Sequence, residues 1–124
     1  TIMADNDRTA RLQNIFQTQE VPKVTEEHLR IFCDYLRENV EYPCFMFLSQ
    51  EDGSLFESLE LVDIMEDLDP DQGIFAQVRR TSDHKTFALP LIELECASND
   101  RDNFCLIDDY CAWFVRSMFR PFEL

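Results

Sequence analysis

Residues 74–91 read IFAQVRRTSDHKTFALPL, and this stretch decides the fold. Its first seven residues alternate between two faces, which is the period of a half-buried β-strand. Ser82 and Asp83 are typical turn residues, and residues 85–91 return as a second extended run. Pro90 cannot donate a ladder hydrogen bond, so it marks an edge strand or its end. The stretch therefore predicts an antiparallel hairpin.

Further extended runs lie on both sides of this hairpin. Residues 43–48, PCFMFL, restart the chain as a strand, and residues 51–53 follow as a turn. Residues 60–68 mix the helix and strand periods; we interpret them as a strand because β-branched residues lie centrally and the strong turn DPDQG follows at 69–73. Residues 92–96 add a short extended piece.

Three helices are predicted around these strands. Thr25 is a helix N-cap, followed by acidic residues that favour the positive end of the helix dipole. Residues 5–19 predict an N-terminal helix, and residues 102–119 predict a C-terminal helix that Pro121 stops. The middle helix ends near residue 40, and its apolar stripe consists of Leu29, Phe32, Cys33, Leu36 and Val40.

The order of these elements indicates the fold class. Two helices, about four or five strands and a final helix predict an α+β domain with a small antiparallel sheet. A chain of 124 residues is the size of one domain. We expect residues 1–24 to form a partly mobile N-terminal helical extension, and residues 25–120 to form the compact core.

The charge of the chain limits its partners. Twenty-five acidic residues against eleven basic ones give a net charge of −14. Such a field repels nucleic acids and anionic membranes, and it favours divalent cations or basic protein surfaces. The apolar runs are far shorter than the roughly 20 residues of a membrane span, and no signal peptide is visible.

The five cysteines indicate a reducing compartment. Their number is odd and no C-x-x-C pair occurs, which favours free thiols and a cytoplasmic location. His28 and His84 lie far apart and neither is near a cysteine pair, so a zinc site is not expected. Phosphate-binding glycine loops and the common hydrolase motifs are absent, so we expect no enzyme.

The acidic turn around Asp69 is the first candidate site. Asp67, Asp69, Asp71 and Gly73 resemble part of an EF-hand loop, but the glycine falls at position 7 and Val78 stands where the loop needs glutamate. The turn is therefore not an EF-hand. Its carboxylates are either a solvated turn or a cation site of another kind, because calcium needs several oxygens on an adaptable loop.

Neighbouring acids near the C-terminus form the second candidate. Asp108 and Asp109 are adjacent on the predicted last helix, and Glu95 lies on the short extended piece before it. Exposed acids on a polar face are the ordinary interpretation. Paired carboxylates also serve acid–base or metal-assisted chemistry, which requires a pocket and partners.

Several segments between residues 29 and 114 together carry a resemblance to a known family. They are Tyr35-Leu36, Tyr42-Pro43-Cys44-Phe45, Leu61-Val62-Asp63-Ile64-Met65, the acidic loop Asp69 to Gln72, Phe75 to Val78, Phe87-Ala88-Leu89-Pro90-Leu91 with Leu94-Glu95, and Ile107-Asp108-Asp109-Tyr110-Cys111-Ala112-Trp113. In these segments the chain resembles a family of cyanobacterial-type calcium-binding proteins (CcbP-like). It differs from the family in Cys44 and in a longer N-terminal segment.

The resemblance implies a function as well as a fold. It implies an SH3-like sheet flanked by helices and Ca²⁺ bound by surface carboxylates outside an EF-hand. An acidic module for a basic protein partner is the alternative, and a metal-assisted enzyme is a third, weaker one. The candidate calcium ligands are Asp67, Asp69, Asp71, Glu95, Asp108 and Asp109.

Overall fold

The computed structural model describes residues 2–42, 44–49, 56–96 and 101–119. Its helices are α1 (Ile2–Phe16), α2 (Glu26–Asn39) and α3 (Arg101–Phe119). Its strands are β1 (Cys44–Ser49), β2 (Phe56–Asp69), β3 (Gly73–Arg80), β4 (Thr86–Pro90) and β5 (Glu95–Cys96), with a 3₁₀ turn at Leu91–Glu93. The predicted turn at 51–53 lies outside the described residues.

The five strands form one antiparallel sheet in the order β4-β3-β2-β1-β5. The predicted hairpin is confirmed, because β3 pairs with β4 in a register that places Phe75 opposite Pro90. β4 lies at the edge of the sheet, where a proline costs least. The α+β class with an antiparallel sheet flanked by helices is confirmed, whereas the SH3-like description of that sheet stays a prediction.

Helix α2 begins and ends as its sequence indicates. The Thr25 side chain accepts a hydrogen bond from the backbone N–H of His28 at 3.2 Å, which satisfies one of the unpaired donors of the first turn. At the other end, the N–H of Val40 bonds to the carbonyl of Leu36. The apolar stripe of α2 is buried against the sheet, so its periodicity encodes core packing.

An aromatic cluster joins the three helices. The Phe32 ring lies 5.6 Å from Phe16, 5.3 Å from Trp113 and 5.3 Å from Tyr110, measured between ring centroids. The indole N–H of Trp113 donates to the carbonyl of Pro22 at 2.8 Å, which satisfies its only polar atom. Leu12 is also buried, so the core extends into the segment that the sequence set apart as an N-terminal extension.

The thiols differ in burial. None of the five cysteines forms a disulfide. Cys33, Cys44 and Cys96 are buried, Cys111 is half-buried and Cys105 is exposed. Among the described residues, no helix combines the length and the apolar character that a membrane span requires.

Candidate functional site

The acidic turn connects β2 with β3. Asp69 ends β2 and pairs with Gly73 at the start of β3. The Oδ1 atom of Asp69 accepts backbone hydrogen bonds from Asp71 at 2.7 Å and from Gln72 at 3.1 Å, as the sequence of this turn favours. Asp71 is exposed, as is Asp67 on the preceding strand. The turn is thus fixed by one carboxylate oxygen and presents further carboxylate oxygens to solvent.

A tyrosine of helix α3 anchors the end of this turn. The backbone N–H of Ile74 donates to the hydroxyl oxygen of Tyr110 at 2.8 Å. Burial raises the pKa of that phenol, although the hydrogen bond from Ile74 opposes the rise. Gly73 has a φ of 81°, and a Cβ at this position would clash with the Tyr110 hydroxyl and lie 2.9 Å from Cε1 of Phe114. Only glycine satisfies both constraints.

Strand β2 leaves its regular register just before the turn. Ile64 pairs with Ala76 and Leu68 pairs with Ile74, so three residues of β2 oppose one of β3. Side chains of α2 donate to the carbonyls on this irregular stretch: Arg30 to Glu66 at 3.0 Å, the Cys33 thiol to Met65 at 3.2 Å, and Arg37 to Ile64.

A second irregularity of β2 lies between Leu61 and Asp63, where β2 carries one extra residue relative to β3. A single extra residue reverses the alternation of side chains, which accounts for the mixed period of residues 60–68. The carbonyls of residues 64–66 already accept hydrogen bonds from side chains of α2, whereas the turn carboxylates offer further oxygens to a cation. No salt bridge to a described lysine or arginine involves Asp67, Asp69 or Asp71.

The two neighbouring aspartates on α3 are held by arginines of α1. The Asp109 side chain is only 4% exposed; it accepts from Arg8 Nε at 3.0 Å, from Arg11 Nε at 2.6 Å and from Arg11 Nη2 at 2.9 Å. Arg8 also pairs with Asp108 through Nη2. The hydrogen bond to Asp109 is the main cause of the raised pKa of Arg11. Two positive charges thus neutralise two negative ones.

This cluster changes the interpretation of the second candidate. The ordinary expectation of exposed acids on a polar face is wrong for Asp109, which is buried because Arg8 and Arg11 compensate its charge. The arginines lie about a hundred positions away in the chain, so no local pattern could have indicated the pairing. Both oxygens of Asp109 already accept hydrogen bonds.

Glu95 and Asp108 come together at a cavity of about 500 Å³ between β5 and α3. Its lining is otherwise largely apolar and includes Phe47, Ile107 and Cys111. Burial raises the pKa of the Cys111 thiol to about 12, so this thiol stays protonated near neutral pH and is a poor nucleophile. Cys111 therefore does not supply the cavity with an activated nucleophile.

The two candidate clusters remain separate in the fold. Asp67 and Asp69 lie at the end of β2 and Asp71 lies in the turn that follows, whereas Asp108 and Glu95 both line the cavity. Within the described parts of the chain, no three carboxylate, thiol or imidazole side chains converge on a point that a metal ion could occupy. The turn nevertheless offers the donor chemistry that calcium prefers, because carboxylate oxygens are hard ligands.

Comparison with known proteins identifies one family. A family model described as calcium binding, Calci_bind_CcbP, matches residues 21–114. The match includes α2, the sheet and most of α3, and it excludes α1. Among curated protein sequences, no significant match was found.

Two solved structures share the fold. The crystal structure of Anabaena CcbP is 20% identical, with a TM-score of 0.57 over 71% of this chain and 74% of that one. A structure described as a calcium binding protein in the calcium-binding form is 18% identical, with a TM-score of 0.64 over 89% of this chain and 90% of that one. At these identities the likeness establishes the architecture alone.

Proposed function

This chain belongs to the CcbP family of calcium-binding proteins, and from that premise we propose that it is a non-enzymatic domain that binds Ca²⁺ at its β2–β3 turn. The match of the calcium-binding family to residues 21–114 is the single observation that carries the proposal. The proposed ligands are carboxylates of Asp67, Asp69 and Asp71. Calcium suits such a turn because it accepts six to eight oxygen ligands in an adaptable geometry.

Charge balance favours the turn over the α3 aspartates. Asp108 and Asp109 are compensated by two arginines, and calcium would have to displace those guanidinium groups. The turn carboxylates have no described cationic partner, in a chain of net charge −14. A bound cation would therefore relieve repulsion at the turn without breaking an existing ion pair.

Calcium binding should stabilise the fold as well as occupy the turn. A ligand that binds only the native state adds about 2.7 kcal/mol of stability when its concentration is 100 times the Kd. The turn is tied to the core through the bond from Ile74 to Tyr110. Neutralising the turn therefore stabilises a region on which the packing of α3 against the sheet depends.

Calorimetric titration of the metal-stripped chain tests the proposal. We expect saturable Ca²⁺ binding that Mg²⁺ reproduces poorly, because Mg²⁺ needs a rigid octahedral site. The triple variant Asp67→Asn, Asp69→Asn, Asp71→Asn should lose it. Asparagine keeps an oxygen in the place of Asp69 Oδ1, so the turn keeps its cap.

A control variant separates a specific site from the overall charge. Asp34→Asn, Glu38→Gln, Glu93→Gln removes the same number of charges from exposed positions outside the turn. Its calcium affinity should stay close to that of the wild type. Equal losses in the two triple variants would reject the turn as the site. Absence of calcium binding in the wild type would reject the function and direct the search to basic protein partners.

The cytoplasm is the compartment we propose for this function. Five cysteines without a disulfide are typical of proteins in a reducing environment. Calcium binding there fits a buffer or sensor role, because cytoplasmic calcium is the quantity that such proteins control.

A further inference from the structure

Three sulfur atoms meet on the inner face of the sheet where β1 pairs with β5. The Sγ atom of Cys44 lies 3.6 Å from Sγ of Cys96 and 3.7 Å from Sδ of Met46. Met46 is directly opposite Cys96 in the strand register, so all three side chains share one face. Each of these residues is buried. We call Cys44, Met46 and Cys96 the sulfur triad.

The register of the triad disfavours a disulfide. Met46, not Cys44, is the direct partner of Cys96, which makes Cys44 the diagonal neighbour two residues along β1. Diagonal neighbours have Cα atoms roughly 7–8 Å apart. A disulfide needs Cα atoms within about 7 Å and Cβ atoms within about 4.5 Å, so this pair requires backbone movement before it can be oxidised.

A metal ion bridges a wider gap than a disulfide does. Metal–sulfur bonds of about 2.3 Å place two ligand sulfurs roughly 3.8–4.0 Å apart in tetrahedral or trigonal geometry. The two separations from Cys44 to the other sulfur atoms, 3.6 and 3.7 Å, are within a few tenths of an ångström of that span. Small side-chain rotations therefore suffice to seat an ion between the sulfurs.

The donor set selects the ion. Thiolate and thioether sulfurs are soft ligands, which select monovalent copper. Zinc takes its ligands from thiolate, imidazole and carboxylate groups, so a methionine thioether argues against it. Calcium, a hard cation, takes oxygen ligands and does not compete for these sulfurs. We propose that the sulfur triad is a site for Cu(I), separate from the calcium turn.

An entry path leads to the triad. Cys96 lines the cavity of about 500 Å³ beside α3, so one of the three sulfur-bearing residues borders open space. Glu95 lines the same cavity, and its carboxylate lies on the route that a cation would take. The net charge of −14 raises the local concentration of cations further.

The binding step balances without a redox partner. Cu(I) enters as a monovalent cation and forms bonds to the two cysteine sulfurs and to the thioether. Each thiol that ligates as a thiolate gives its proton to solvent through the cavity. One thiolate makes the site neutral, and a second leaves it with one negative charge. Copper affinity should therefore increase with pH.

Anaerobic titration with Cu(I) against a bathocuproine disulfonate competitor tests the site in the reduced chain of 124 residues. We expect one tightly bound Cu(I) per chain. Cys44→Ala and Cys96→Ala should each weaken binding by roughly 100-fold or more, because each removes a direct ligand. Met46→Leu conserves volume and should weaken it by about 10-fold.

Two control variants and a spectroscopic measurement distinguish the sulfur triad from the other thiols. Cys105→Ala removes an exposed thiol, and Cys111→Ala removes another thiol of the cavity; both should retain copper. X-ray absorption of the copper-loaded wild type should report sulfur ligands only. Copper retained by the Cys44→Ala/Cys96→Ala double variant, nitrogen or oxygen ligands, or absence of competitive binding would overturn the proposal. Calcium titration of the same variants should be unchanged, so this test is independent of the proposed turn site.

Discussion

Replacing Gly73 by alanine tests how the acidic turn is held. The backbone φ of 81° at this position costs an L-residue about 1–2 kcal/mol. The added Cβ clashes with the hydroxyl of Tyr110, which must move and release the N–H of Ile74. An unsatisfied buried donor costs about 1–3 kcal/mol. We therefore expect Gly73→Ala to lower the free energy of unfolding by about 3 kcal/mol.

Urea unfolding followed by circular dichroism measures this loss. For a chain of this length, 3 kcal/mol corresponds to a fall in Tm of roughly 10 °C. Gln77→Ala, an exposed change on the same strand, should stay within about 0.5 kcal/mol of the wild type. A loss below about 1 kcal/mol in Gly73→Ala would refute the account of the close contact.

A double-mutant cycle identifies the atom responsible. Tyr110→Phe alone should cost about 1–2 kcal/mol, because it leaves the N–H of Ile74 unpaired. The Tyr110→Phe variant lacks the hydroxyl oxygen, which is the atom nearest to a Cβ at position 73. The cost of the double variant should fall short of the sum by about 1 kcal/mol. Additive losses would place the strain in the backbone, away from the tyrosine hydroxyl.

Three further outcomes follow from the geometry. Arg11→Gln should lower the free energy of unfolding in urea by about 1–2 kcal/mol, because Asp109 stays buried with one guanidinium fewer. The loss is moderate because Arg11 itself is partly exposed. No loss would show that Arg8 alone compensates the carboxylate. Trp113→Phe should cost about 1–3 kcal/mol, since it removes the bond to the Pro22 carbonyl together with aromatic packing, and an unchanged Tm would contradict that. Stability should fall as pH rises from 9 towards 12, because burial raises the pKa of Cys111 from 9.0 to about 12 and the unfolded chain loses this proton first. Urea unfolding of Cys111→Ala at several pH values should show a shallower slope, and an unchanged slope would exclude this thiol.

The locally encoded parts of the fold could be predicted from the sequence. The hairpin of β3 and β4 is indicated by an alternating run, a short turn and a proline that is tolerated at a sheet edge. Helix α2 is indicated by an N-cap at Thr25 and by apolar residues at helical spacing. Both patterns involve residues that are close in sequence, so they can be recognised without knowing which surface each element packs against.

Contacts between distant segments could not be predicted. The bulge in β2 obscured its alternation, and its carbonyls are satisfied by side chains of α2 about 30 positions away. The ion pairs of Asp109 join α1 with α3, although each partner looks like an ordinary surface charge in the sequence. Cys44 and Cys96 lie 52 positions apart and meet only through strand pairing.

The acidic cluster is a part of the candidate site that the sequence predicts by itself. Asp67, Asp69 and Asp71 stand at every second position of the chain, and the structure places the first two at the end of β2 and Asp71 in the turn that follows. Whether three carboxylates bind an ion depends on the repulsion between them and on the freedom of the loop to converge.

Calcium titration of the ¹⁵N-labelled chain, followed by ¹H–¹⁵N NMR, tests the central claim most directly. We expect saturable shifts of the backbone amides of residues 67–69 and 71–74, with smaller changes at Tyr110 through its bond to Ile74. The amides around Arg8 and Asp109 should stay in place, because their ion pairs are not broken. Shifts confined to α3 and the cavity would move the site to Asp108 and Glu95, and an unchanged spectrum at saturating calcium would contradict the function itself.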